Sequence, residues 1–547
     1  MGISNISKSY IESIGDEKLR ILFIELLNLT ESQALIITEQ RQEIQNLKDE
    51  INHLKGEQGK PSFTSKKTSI TTSISSEQER RKIRNWNKKG KKDNMIVDKQ
   101  VVCELSKEQL NALPGDARFL RYETRIQQDI KLVKENTSYL MAVYFSESEN
   151  KTYYAPLPSD YQGYFGPGLK TFVHVMTHVC DVTQSKLRLL LETAGIEISA
   201  GSLNNILIEP ADIYESERQA ILQAGLSGSH CGMDSTGSKQ KGQRLYTQII
   251  NNELFTVFSS HPSKSRLTVL AALQDTLESL LPMSYNTEAM ELLNSFGLAQ
   301  KDKIAVARLF EPDRIYMKLE VEQLIAEQLP ALRAKENMFH RLLEALAIGY
   351  YQQQTTYPKA ECLITDDAGE YKMVAFTHAL CWVHDARFYK KLTPFIEAHR
   401  QIVDDFTKQY WAYYHKLLDY KASPNKSKAK KLEKEFERIF TQQTAYFQLN
   451  QRIEKTYENK DKLLAVLKYP FIPLHNNAAE LAARRVVTKR KISLHTITDT
   501  GTKVRDAAMS VVETAKKLHV NVIDYLQDRI SGTYRMTALA DLIRNTS

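Results

Sequence analysis

The sequence predicts an α/β protein whose mixed sheet is interrupted by long helical insertions and preceded by helical N-terminal regions. Three observations point there. From His230 the apolar pattern changes from helical spacing to three short strands, HCGMDSTG, RLYTQIINN and ELFTVFSS, separated by turn residues. A further strand running into a turn, AECLITDDAGEY, appears at 360–371, after a charged helical stretch. Helical sequence returns in NNAAELAARRVVTKRK at 476–491. At 547 residues the chain also exceeds what one core holds, roughly 300 residues, so several domains are expected.

Each element follows in order. Residues 1–57 carry a helix over 18–56 with a heptad seam: Phe23, Thr30, Ile37, Ile44 and Ile51 at a, and Leu26, Gln33, Gln40, Leu47 and Leu54 at d. Ile at a with Leu at d in the last two heptads favours a parallel two-stranded coiled coil. The polar Thr30, Gln33 and Gln40 weaken the middle, and one amphipathic helix packed within its own chain is the alternative. Residues 58–98 are rich in Ser, Thr and Lys and read as a flexible linker or arm. Within it Trp86 suits either base stacking or anchoring to the protein. Residues 99–228 are mixed and mainly helical, with a strand at 138–146 and helices over 169–208. There a helix from Ser185 to Ala194 is broken by Gly195, and Ser199 caps a second helix from Ala200. Helix, tight turn, helix is the shape of a DNA-reading element and equally of an ordinary helical core.

The sheet core then comes in three parts: 229–281, 359–390 and 471–530, with helical insertions at 282–358 and 391–470 and a tail at 531–547. Asn251-Asn252 is a hairpin turn, 266–281 a helix, 378–389 a strand or strand-to-helix junction, and 504–520 a helix packed on the sheet. The second insertion reads as long polar helices broken at 421–431.

Composition narrows the function classes. The chain is 42% hydrophobic and 26% charged, ordinary for a globular protein. No apolar run reaches the ~18–20 residues of a membrane span, and the N-terminus lacks an apolar signal core. Met-Gly opens the chain, but Ile6 stands where myristoylation wants Ser or Thr. These features place it in the cytoplasm, without a membrane partner. Five widely spaced cysteines, Cys103, Cys180, Cys231, Cys362 and Cys381, fit neither a disulfide framework nor a four-cysteine zinc site. Of the net charge of +8, the stretch from Lys60 to Lys92 holds +9, from eleven Lys/Arg against two Glu, so the remainder sums to about −1. Such an arm, with Lys88, Lys89, Lys91 and Lys92, suits salt-sensitive phosphate contact; a solvated linker has the same composition.

Three acids stand out by position. Asp234 closes an apolar stretch that opens the meander, Asp366 follows the strand Cys362-Leu-Ile-Thr, and Glu480 sits in the first turns of a helix. Two Asp at strand ends and one acid on a helix can converge on one point. Two-metal phosphoryl transfer needs such oxygen ligands around ions ~3.5–4 Å apart, and Mg²⁺ is bound by a few carboxylates plus phosphate and water. Among 66 acidic residues, turn-forming Asp and surface Glu produce such a trio often, so spacing alone is a weak signal.

The surrounding blocks are more specific. MDSTG followed by YTQIINNELFTVFSSHPSKSR, then LITDDAGEY with HALCWVHDARFY, then HNNAAELAARR, TKRK and GTKVRDAAMSVVETAKK resemble, in order, the catalytic blocks of insertion sequence 66 family transposases, of the DDE superfamily. The N-terminal heptads and YYAPLPSDYQGYFGPGLK also resemble that family. The resemblance implies a ribonuclease-H-like mixed sheet and a DDE transposase. Such an enzyme binds terminal inverted repeats, cleaves by water attack and joins a 3′-hydroxyl to target DNA. It implies two Mg²⁺ ions, with Mn²⁺ able to substitute. Asp234 would bridge both ions, Asp366 would bind one and Glu480 the other. Asp367 is the alternative acid, and Glu513 lies outside the Asn-Asn-x-x-Glu block. DNA, a second copy of the chain and accessory proteins of the same element would be partners. Many relatives carry a cysteine-rich zinc motif before the catalytic region, where this chain has only Cys103, so no zinc is expected.

Around the acids, Cys381 and His384 form a Cys-x-x-His pair without a second pair to complete a zinc site, and with Asn477 they read as site-supporting. Arg484 lies one helical turn beyond Glu480, and Arg485, Lys489, Arg490 and Lys491 follow. With Lys264 and Arg266 they are candidates to hold the DNA backbone, against a solvated helix end. Two rival functions share these features: a DNA-binding coiled-coil protein with catalysis lost, and a nuclease on the same fold.

Overall fold

A computed structural model describes residues 3–54 and 97–546, apart from 115, 128, 131–132, 159–160 and 162. Most of the basic arm, with Trp86, Lys88, Lys89, Lys91 and Lys92, lies outside the described residues. The centre is a five-stranded mixed sheet. Strands β1 (His230–Gln240), β2 (Gln243–Asn251) and β3 (Thr256–His261) form an antiparallel meander. Lys241 and Gly242 turn β1 into β2, both at positive φ, as a two-residue hairpin of matching twist requires. The next turn is held by the Asn252 side chain, which accepts from the backbone N–H groups of Leu254 and Phe255 at 2.8 and 3.2 Å. After the first insertion, β4 (Cys362–Thr365) returns parallel to β1, and β5 (Thr377–Leu380) lies parallel to β4. The order is β3-β2-β1-β4-β5, with β1 central.

Alternation along the strands divides the apolar residues between two faces. Met233, Ile250, Val257 and Leu363 enter one core with helices α1 (Ala211–Leu226) and α2 (Glu336–Gln353). Cys362, Ile364 and Ala379 face the other side, against α3 (Trp382–Lys390) and α4 (Glu397–Ala422). On that same side Ile249 and Phe258 pack under Ala482 and Val486 of α5 (Asn477–Ser493). Helix α6 (Asp499–Lys517) covers the β3 edge. Its Ser510 and Thr514 hydroxyls accept the Phe258 and Thr256 N–H groups at 2.9 and 3.1 Å, so this edge does not offer itself for further pairing.

The second insertion is polar in composition yet builds an aromatic core. Along α4, Phe406, Tyr410, Tyr413, Leu417 and Tyr420 recur at helical spacing and are buried. Trp382, two residues past β5, is fully buried, with Tyr410 and Tyr413 ring centroids 5.4 and 5.6 Å away and Phe436 at 6.2 Å. Its indole N–H donates to the Leu463 carbonyl at 2.9 Å. The helices break at 423–425, inside the basic stretch expected to break them.

The N-terminal helix runs Glu17–Leu54. Its first half packs within the chain: Leu27 is buried against Ile396 and Ala398. The buried Glu31 carboxylate accepts from the Phe395 and Ile396 backbone N–H groups and lies 3.1 Å from His399 Nδ1, capping the start of α4 with a negative charge. In the second half the seam residues Ile37, Ile44, Leu47 and Ile51 are exposed. Residues 17–51 also contain an 18-residue window of mean hydropathy 1.4, enough by length and composition to cross a membrane. The helix as a whole carries Glu31, which is committed to the body of the protein.

Several expectations are corrected. Between 97 and 142 the described residues hold one short helix, Lys107–Asn111, and a small exposed hairpin follows at Val143–Ser146 and Lys151–Tyr154. The region becomes helical only from Pro167, with helices Pro167–His178, Gln184–Thr193 and Ala200–Ile208, the last capped by Ser199. The helix expected over 266–281 ends at Leu273, where Asp275 adopts positive φ. The expected tail contains a packed helix, Leu539–Thr546, with Leu539, Ala540 and Ile543 buried. Asp234 lies within β1, not at its end; it is the parallel ladder with β4 that ends beside it, at Gly232.

Trp382→Ala should lower unfolding free energy by about 3–5 kcal/mol, read from the urea midpoint, because it empties the junction of sheet and bundle. An unchanged midpoint would show that the bundle is not anchored there.

Candidate functional site

The parallel ladder between β1 and β4 stops at Gly232–Ile364, and the chain beyond it supplies acids from both strands. Asp234 pairs with Ile249 in register, so its side chain is on the face covered by α5. Asp366 is the first residue after Thr365, and its carboxylate accepts from the Ala368 N–H at 3.2 Å, folding the chain into a turn. Glu480 stands in the first turn of α5. Burial raises the Asp234 pKa to about 6, and the negative charges of Asp366 and Glu480 add to it against the Ser235 N–H bond and Lys264. The three acids therefore share one electrostatic neighbourhood. Asp367 points elsewhere: it pairs with Lys372 at 3.1 Å and accepts from Asn459 at 3.3 Å.

A tether sets α5 against β1. The Asn476 side chain donates to the Met233 carbonyl at 2.6 Å, while its backbone N–H donates to Cys381 Sγ at 3.2 Å. The Asn476 carbonyl then accepts the Glu480 N–H at 3.2 Å, opening the helix that carries the acid. Gly232 leaves room for this, since a Cβ there would lie 2.4 Å from Asn476 Oδ1. Cys381 thus supports the site through packing and a hydrogen bond. Asn477 is buried in the same turn. Sequence reading singled out Asn477 and missed Asn476; the adjacent Asn-Asn pair was the available signal.

The site's cations divide into two kinds. Lys264 borders the acids and pairs with Glu370 at 2.8 Å. Arg484 lies 3.3 Å from Glu480 and is exposed, as is Lys491. The others are spent inside the chain. Arg485 binds Asp181 and Glu513, and buried Lys489 donates to the Thr177 carbonyl and pairs with Asp181 at 3.4 Å. Arg490 donates to the Gly237 carbonyl, and Arg266 binds Glu344 and the Lys372 carbonyl. Glu513 is held by Arg485 and Lys516, away from the acid cluster. Arg387, part of the Cys-Trp-x-His-x-x-Arg stretch but given no role from sequence, reaches Glu480 at 2.7 Å and His384 at 2.9 Å. Burial, with Arg387 alongside, lowers the His384 pKa.

The donor set suits hard divalent cations: carboxylates from a central strand, its neighbour and a helix, around a half-buried Asp whose charge is disfavoured by desolvation. The buried Tyr371 hydroxyl faces Ser235 beside Asp234, and the buried His384 Nδ1 has no hydrogen-bond partner. Among the described residues no three His, Cys, Asp or Glu side chains are gathered tightly enough to hold a metal as they stand. The Glu480 carboxylate is instead paired with Arg387 at 2.7 Å and Arg484 at 3.3 Å.

A family model described as "Transposase IS66 family" matches residues 351–504, which include Asp366, Cys381, His384, Arg387 and Glu480. An uncharacterized protein of Sinorhizobium fredii (strain NBRC 101917 / NGR234), y4jO, is 31% identical over 327 residues, 57% of this chain and 94% of its own length.

The chain belongs to the IS66 transposase family.

Within this IS66-family chain, Asp234 lies upstream of the matched residues, and its link to the other acids rests on strand pairing and charge. Gly232→Ala should destabilise the protein by about 1–3 kcal/mol, measured by thermal melting, because the new Cβ displaces Asn476. A Gly232→Ala protein as stable as the parent would mean the tether is not tight.

Proposed function

We propose that the chain is a DDE transposase that binds the terminal inverted repeats of an insertion sequence and carries out metal-dependent DNA strand cleavage and strand transfer. In this reading the core is ribonuclease-H-like. The single observation that carries the reading is the placement of Asp234 on the central strand, Asp366 just beyond the adjacent parallel strand and Glu480 in the first turn of the covering helix.

In this reading Asp234, Asp366 and Glu480 would together hold two Mg²⁺ ions, with Mn²⁺ able to substitute. Bound there, the ions would polarise the scissile phosphate and lower the pKa of the attacking water or 3′-hydroxyl. The chain's own residues do the placing. The β1–β4 pairing fixes the separation of the two Asp backbones, and Asn476 fixes the start of α5 and hence Glu480. Both cleavage and joining are in-line displacements at phosphorus, so one set of acids serves both.

DNA contact falls to exposed cations at the rim, Lys264, Arg484 and Lys491, and to the arm with Lys88, Lys89, Lys91 and Lys92. The helices at 184–193 and 200–208 are candidates for reading the element ends. Two copies would associate through the exposed Ile37, Ile44, Leu47 and Ile51 seam.

On a labelled element-end duplex with Mg²⁺, the parent protein should nick and join. Asp234→Ala, Asp366→Ala and Glu480→Ala should each abolish both steps, while Asp367→Ala retains them. Full activity in any of the first three would refute the assignment. Deleting residues 60–92 should weaken non-specific duplex binding and flatten its dependence on salt, measured by fluorescence anisotropy at several salt concentrations. An unchanged salt slope would make the arm a linker only.

A further inference from the structure

Arg387 is a charged side chain at the acid cluster that the proposed chemistry does not use. It projects from α3 with one guanidinium nitrogen 2.7 Å from Glu480 Oε2 and another donating to His384 Nε2 at 2.9 Å. An arginine only donates, so His384 accepts at Nε2 and carries its proton on Nδ1. Arg484 approaches the other Glu480 oxygen at 3.3 Å. Both Glu480 oxygens thus face guanidinium groups.

Location separates Arg387 from the neighbouring basic residues. The Arg485 and Lys489 side chains are 16% and 9% exposed and locked onto Asp181, so they cannot leave without stranding a buried charge. The Arg387 side chain is 43% exposed and Glu480 24%, so their pair sits at the rim, where it is worth little and can be exchanged. The second support, a neutral imidazole, offers no charge to hold Arg387 back. A divalent cation arriving among Asp234, Asp366 and Glu480 would both compete for the Glu480 oxygens and repel the guanidinium. The planar fork of an arginine then matches a phosphodiester's oxygens better than any other side chain.

We propose that Arg387 is an exchangeable counter-ion: it pairs with Glu480 until a divalent cation takes its place, and its guanidinium then binds a backbone phosphate of the DNA. This rests on the metal-dependent reading of the same site.

The test uses the full chain and two readouts besides catalysis. In the first, Mn²⁺ is titrated without DNA and free Mn²⁺ is followed by electron paramagnetic resonance. Arg387→Ala and Arg387→Gln should bind Mn²⁺ about two- to fivefold more tightly than the parent, and Arg387→Lys close to the parent. In the second, duplex binding is measured across salt concentrations with Ca²⁺ present. The Ala and Gln variants should lose about one unit of the log–log salt slope. Melting curves verify that the variants fold, and the Gln variant, which keeps a hydrogen-bonding group, stands in if Ala does not. Mn²⁺ affinity that is unchanged or weaker in these variants, or an unchanged salt slope, overturns the proposal. If the parent binds Mn²⁺ no better than Asp234→Asn does, the metal reading fails and this proposal with it. If the parent binds better and the Arg387 variants match it, only the role of Arg387 fails.

Discussion

The hydrogen bond from the Asn476 side chain to the Met233 carbonyl is the constraint on which the candidate site depends. Glu480 is separated from Asp234 by 246 positions in sequence, and the long bundle at 391–470 intervenes. The tether sets the start of α5 against the central strand, ahead of the packing of Ala482 and Val486 on Ile249 and Phe258. The bond is buried, so breaking it would leave an unpaired carbonyl and amide at the centre of the fold, costing about 1–3 kcal/mol for each stranded group. Gly232 and Cys381 are the residues that permit it: one by having no side chain, the other by accepting the Asn476 N–H.

Charge is organised around this point in three layers. Innermost are the acids, with Asp234 made basic by burial and by its neighbours. Next come Lys264, Arg387 and Arg484, each within reach of an acid and partly open to solvent. Behind them Arg485 and Lys489 act as struts that fix α5 to the loop after the helix Pro167–His178, through Asp181 at positive φ. The helical region before the sheet is thereby joined to the same helix that carries Glu480. A displacement of one would be felt by the other, which links the N-terminal regions to the site by contacts and not by proximity alone.

Much of this was legible in the sequence, for identifiable reasons. The meander at 230–261 announces itself by alternating apolar residues and turn chemistry, and the strand Cys362–Thr365 by an apolar run that ends in Asp366. Ser199 and Gly195 mark their helix boundaries because capping and positive φ are local properties. What was not legible depends on partners far away in sequence. Arg485 and Lys489 look like a solvated basic helix end until Asp181, some 300 residues earlier, is folded against them. The insertion helices look polar because their buried residues are tyrosines, whose hydroxyls reach backbone carbonyls such as those of Trp382 and Leu432. Asp234 was expected at a strand end because sequence shows where apolar residues stop, not where a neighbouring strand stops pairing. Arg387 was given no role because its partners, Glu480 and His384, meet only in the fold.

The central claim is that Asp234, Asp366 and Glu480 form one divalent-cation site at the end of the β1–β4 ladder. The most direct measurement is anomalous scattering from crystals of the full chain grown with Mn²⁺ and a short element-end duplex. The account predicts manganese peaks lying between these three carboxylates. Manganese bound elsewhere, or ligated by Asp367 with Asp366 turned away, would contradict it.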